Sequence, residues 1–103
     1  MTEQQVESGV TVKLIGVLGS AAGCREIGLE WSESLTVSKL IDNLLKAVGS
    51  SQFQDFLVDS GTRDPRPNVI ILLNEQDCNM FNGLRTKIEK NTAVTIIPVA
   101  HGG

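Results

Sequence analysis

Between Thr36 and Gly49 the apolar residues settle into a helical rhythm. Val37, Leu40, Ile41, Leu44, Leu45 and Val48 recur at intervals of three and four, which puts them in one stripe along a helix. Ser34 or Thr36 supplies the side-chain oxygen that a first helical turn needs for its unpaired amides. Gly49 stands just past the last periodic residue, where a left-handed cap favours a residue without a Cβ. The spacing therefore predicts one helix of roughly three to four turns. A helix with one apolar stripe must bury it against a second layer, and the rest of the chain has to provide that layer.

The flanking segments read as strands. Val10 to Leu18 is rich in β-branched residues and begins by alternating, with Val10, Val12 and Leu14 on one face and Thr11, Lys13 and Ile15 on the other. Gly19 to Gly23 is a run of small residues that suits a hairpin turn. Arg25 to Trp31 resumes the alternation, with Ile27, Leu29 and Trp31 opposite Glu26, Gly28 and Glu30. After the helix, Ser50 to Leu57 predicts a short helical turn, and Val58 to Asn68, with Gly61, Pro65 and Pro67, predicts a loop. Val69 to Leu73 is an unbroken apolar run, the pattern of a strand buried on both faces. Asn74 and Glu75 read as a turn, and Asp77 to Arg85 as a very short strand and a bend anchored in the core by Phe81 and Leu84. Lys87 to Asn91 predicts a polar turn. Ala93 to Val99 is the last strand, and Pro98, which has no amide to donate, marks where its pairing weakens.

The order is hairpin, long helix, buried strand, short element, final strand. Pairing the last strand in parallel with the first needs a crossover, which the helix supplies. The expected fold is α+β, a β-grasp, with a mixed sheet packed on one main helix. Residues 1–9 form a polar lead-in, 10–99 the domain, and 100–103 a flexible tail.

Composition narrows the function. With 103 residues, 41% hydrophobic and 20% charged, the chain suits a single globular domain. Its 12 acidic residues outnumber its 9 basic ones and no basic run occurs, which argues against direct nucleic-acid binding. No apolar stretch approaches the roughly 20 residues of a membrane-spanning helix. The polar start lacks the features of a signal peptide, so the cytoplasm is the expected location. Cys24 and Cys78 are far apart and the chain has 1 His, too few ligands for a zinc site and no basis for a disulfide framework. No bound metal or cofactor is expected.

The segment Ala100-His101-Gly102-Gly103 directly follows the final strand. Terminal Gly-Gly arises by chance in about one chain in 200, so the dipeptide alone carries little. Its position carries more, because a rigid domain would there project a thin peptide. Glycines let such a peptide enter a narrow channel and adopt unusual φ values. A carboxylate at Gly103 becomes an electrophile only once its oxygen is made a leaving group, as in an acyl-adenylate. The activated carbon must then meet a nucleophile in line.

Arg66-Pro67-Asn68, the apolar strand Val69–Leu73, Asn74 and then Asp77 resemble the stretch through the central strand of the eukaryotic ubiquitin-related modifier family. His101-Gly102-Gly103 resembles that family's ending. Pro98-Val99-Ala100 is more similar to the endings of sulfur carriers for molybdopterin and thiamine synthesis and of small archaeal modifiers. Cys78 departs from the pattern, since the eukaryotic modifiers tend to carry an aromatic residue there. The resemblance implies a monomeric β-grasp protein that is not itself an enzyme. It implies activation of Gly103 by an E1-like adenylating enzyme that uses ATP. It further implies either a Gly103 thiocarboxylate for sulfur transfer, as in tRNA thiolation, or an isopeptide bond to target-protein lysines that a deconjugating protease would cleave.

On this reading Gly103 is the reacting residue and Gly102, His101 and Ala100 present it. Ile97, Pro98 and Val99 dock the activating enzyme. Val94 and Ile96 face the core, leaving Ile97 outside at the tail root. A lone His101 has nothing to orient it as a base, so recognition of the tail is its expected role. Cys24 and Cys78 read as buried and inert, Trp31, Phe53 and Phe56 as core, and Lys13, Lys39, Lys46, Lys87 and Lys90 as surface charges that are also potential acceptors. Two competing readings are a non-covalent β-grasp interaction module and an enzyme built on either cysteine.

Overall fold

The computed structural model describes residues 9–99, so the lead-in before Gly9 and the tail residues Ala100, His101, Gly102 and Gly103 lie outside the described residues. β1 (Gly9–Leu14) pairs antiparallel with β2 (Glu26–Glu30) and parallel with β5 (Ala93–Pro98). β5 also pairs antiparallel with β3 (Val69–Leu73), which carries the two-residue β4 (Gln76–Asp77) on its far edge. The five strands run in the order β2-β1-β5-β3-β4, the mixed β-grasp sheet expected from the element order.

α2 (Val37–Val48) covers one face of this sheet and follows the sequence reading closely. Thr36 accepts from the Lys39 amide at 3.2 Å, and Gly49, at φ 66, donates its amide to the Leu45 carbonyl. Val37, Leu40, Ile41 and Leu44 are buried against Val10, Val12, Leu14, Ile71, Val94 and Ile96 of the sheet. Burying one such side chain stabilises the fold by about 1.5–3 kcal/mol, so this interface is the main source of stability. The segment leading to β5 is tied to the start of α2. The Val37 amide donates to the Thr86 carbonyl (3.0 Å) and the Ile88 amide to the Leu35 carbonyl (3.0 Å). Trp31 closes the same end, its indole N–H donating to the Ile88 carbonyl at 2.7 Å.

Several local expectations are corrected. β1 stops at Leu14, and the small-residue run is helix α1 (Val17–Ala22) rather than a hairpin turn. Gly16, at φ 59 and ψ −129, bends the chain out of the strand into a conformation that only glycine adopts without strain. Leu18 is then fully buried, and a Cβ on Gly19 would lie 2.9 Å from the Leu14 carbonyl oxygen. The small residues serve close packing, not a turn. Ser50 to Leu57 forms a true helix, α3 (Ser51–Leu57), capped by the Ser50 hydroxyl and burying Phe53 and Leu57. Phe56 and Phe81 are exposed rather than core, while Ile88, placed in a polar turn, is buried. β3 is buried on one face only, since Ile70 on its outer face is 40% exposed.

Candidate functional site

β5 sets the geometry of the site. Val94 and Ile96 point into the core at 0% exposure, so Thr95 and Ile97 occupy the outer face of the sheet. Ile70 lies directly opposite Ile97 in the β3–β5 register. On the other flank the Ile15 amide donates to the Ile96 carbonyl at 3.1 Å, which brings Ile15, 42% exposed, level with Ile97. Ile15, one residue past the end of β1, thus joins Ile97 of β5 and Ile70 of β3 in an apolar row at the end of the sheet where β5 stops. Val99, 37% exposed, extends that row toward the tail. Single exposed apolar residues are ordinary, whereas a contiguous row facing solvent marks a contact surface.

Pro98 ends only half of the pairing. Alternation aims its nitrogen at β1, where the strand has already turned into α1. The Ile15 carbonyl, which a donor at this position would have reached, accepts from the Leu18 amide instead (3.2 Å). On the β3 side pairing continues, with the Val99 amide donating to the Asn68 carbonyl at 2.9 Å. The Asn68 side-chain amide reaches back to the carbonyls of Asp55 and Phe56 in α3, at 3.3 and 3.4 Å. Asn68, Ile70 and Ile15 are therefore part of the site, and the sequence reading assigned none of them to it. Alternation within Val69–Leu73 and the outward parity of Ile15 were signals for two of them, but an unbroken apolar run hides its own alternation.

The other chemistry-bearing side chains lie apart from this surface or serve structure. Cys24 is exposed and Cys78 is buried. Burial, and then the nearby Asp77 charge, push the Cys78 thiol up from its ordinary pKa. The Asp59 carboxyl is held below its usual value chiefly by the Thr62 amide, then by the Thr62 hydroxyl and the Gly61 amide, which closes the loop ahead of Arg63. Asp64 is lowered by its Arg66 partner, the two joined by a 2.7 Å ion pair. Lys13, Lys39, Lys46, Lys87 and Lys90 are all exposed, and the Lys90 Nζ sits 5.5 Å from the centre of the Trp31 ring. Among the described residues no group of His, Cys, Asp and Glu is placed to hold a metal ion, and no helix is long and apolar enough to cross a membrane.

Comparison with known proteins gives this geometry a family. The Ubiquitin-related modifier 1 homolog of Dictyostelium discoideum is 32% identical over 62 residues, which cover 60% of this chain and 57% of that relative. The chain thus spans little more than half the length of the curated relative it matches. Among solved structures, the small archaeal modifier protein 1 of Methanosarcina acetivorans superposes with a TM-score of 0.77 at 24% identity, covering 93% of this chain and 97% of that one. Urm1 from Trypanosoma brucei superposes with a TM-score of 0.74 at 23% identity, covering 97% and 100%. These similarities establish the β-grasp fold. The Urm1 (Ubiquitin related modifier) family matches residues 9–103, the outer row and the glycine tail included. The chain belongs to the ubiquitin-related modifier family.

Proposed function

We propose that this protein is an acyl carrier whose Gly103 carboxylate is activated by an E1-like adenylating enzyme docking on the outer face of the sheet. The carboxylate oxygen attacks the α-phosphorus of ATP and pyrophosphate leaves. Hydrosulfide then displaces AMP from the acyl-adenylate, giving a thiocarboxylate for sulfur transfer. A protein lysine that receives the acyl group instead gains an isopeptide bond, which a deconjugating protease would hydrolyse. The nucleophiles and the catalytic groups belong to the partners. This chain supplies the electrophile and a surface, and it works as a monomer in the cytoplasm.

The observation that carries the reading is the Ile15–Ile97–Ile70 row, which lies where β5 hands the chain to Ala100–Gly103. Docking there brings a short peptide to a partner's active site without rearrangement of the fold. ATP–pyrophosphate exchange with the adenylating enzyme tests the proposal. Removing Gly103, or adding a residue after it, should abolish exchange while thermal unfolding stays unchanged. Persistent exchange by the truncated chain would sink it, and undiminished binding without any activation would favour the non-covalent module. Intact mass of protein from cells separates the two fates: oxygen replaced by sulfur indicates a carrier, and a Gly-Gly remnant on target lysines a modifier.

A further inference from the structure

We propose that Asn68 is a positioning residue that holds Val99 at the root of the tail and sets the direction in which the tail leaves, an inference that rests on the carrier reading above. β5 is a central strand, so its last residues have a neighbour on each flank. On the β3 flank the Asn68 carbonyl holds the Val99 amide at 2.9 Å, and the Asn68 side chain is itself moored to the Asp55 and Phe56 carbonyls. On the β1 flank the chain turns away at Gly16, which has no side chain to bring against Pro98. Pro98 has no amide with which to prolong the ladder toward β1, and its ring fixes φ. The backbone is thus held at Val99 by a hydrogen bond on the β3 side, with no ladder bond from Pro98 on the other.

Four further residues reach at most about 14 Å when extended, so the direction at Val99 decides where Gly103 can arrive. Docking on the outer row and threading of the tail are two contacts made by one body, and the first raises the effective concentration of the second only if the link between them is held. A loosened root leaves docking intact and makes productive arrival of the carboxylate rarer. The signature is therefore a fall in kcat with little change in KM.

Asn68→Ala removes the side-chain mooring and leaves the backbone carbonyl in place. Asn68→Asp keeps the shape but sets a carboxylate against two carbonyls, which it cannot satisfy as a donor. Each variant is assayed with the adenylating enzyme and ATP by pyrophosphate exchange, and amide hydrogen exchange is read at Val99. Both should exchange faster at Val99 and lose about tenfold in kcat, with KM within about twofold of the parent. An unchanged kcat, whether or not Val99 loses protection, overturns the proposal. So does a rise in KM alone, which would make Asn68 a docking contact. A parent protein that is never adenylated would instead remove the carrier reading itself.

Discussion

Cys78 and Cys24 carry the same thiol in opposite surroundings, and the difference has a pH signature. Cys78 is 1% exposed, and burial followed by the Asp77 charge keeps its proton bound beyond the ordinary range. The folded chain therefore retains a proton that the unfolded chain releases above about pH 8.5, and rising pH favours unfolding. Stability from this group is fully present below that value and is lost as pH climbs toward the raised folded pKa. The urea midpoint should fall between pH 8 and 10 with a slope from this group of at most about 1.4 kcal/mol per unit, and Cys78→Ala should flatten that decline. A parallel decline in both proteins would assign it to other groups. Sequence reasoning took both cysteines as buried, and only Cys78 is. Residue type alone does not separate them, because exposure follows from the elements that flank each one. Cys24 follows α1 at Gly23, whereas the Cys78 carbonyl accepts from the buried Thr86 hydroxyl at 3.4 Å.

Elements were legible in proportion to how far their sequence constrained them locally. α2 shows a periodic stripe, a Thr cap and a Gly stop, and all three signals agree. α1 has only six residues, four of them Gly, Ser or Ala, so its helical state depends on burying Leu18 and on the close approach at Gly19. No local pattern encodes those contacts. The β3–β4 turn lies between these cases: Asn74 and Glu75 were read as a turn, and both adopt positive φ, 49° and 73°. That pair of angles is the hairpin turn for which Asn-Gly is preferred. Asn74 is also a fastener, since its Oδ1 accepts from the Ala93 amide at 2.9 Å and its own amide donates to the Ala93 carbonyl at 2.8 Å. Among the described residues the Glu75 side chain makes no comparable hydrogen bond. Glu75→Gly should raise stability by about 0.5–1 kcal/mol through relief of the left-handed backbone, and Asn74→Ala should lower it by about 1–2 kcal/mol. Urea titration of the two variants measures both signs, and a destabilised Glu75→Gly would mean that the strain is absent.

At the scale of the whole molecule, on the proposed docking, one sheet divides stability from recognition between its faces. The α2 side is closed and apolar, and its pattern was readable because core residues must recur with the period of their element. The outer side carries a second apolar row, which the unbroken apolar run of β3 hides and of which the sequence pattern singles out only one outward residue, Ile97. Its role follows from which strands are neighbours, and only the tertiary fold supplies that. Adjacent residues of β5 separate the two functions. Ile96, at 0% exposure, packs into the core, so Ile96→Ala should cost about 2–5 kcal/mol. Ile97 is half-buried opposite Ile70, and Ile97→Ala should cost about 1 kcal/mol or less, the scale of one cross-strand pair. In adenylation the order should reverse. Under conditions where both variants remain folded, Ile97→Ala raises KM for the activating enzyme and Ile96→Ala leaves it near the parental value. A KM shift of equal size in the two variants would mean that activation senses overall stability, and the outer row would lose its claim to be the docking surface.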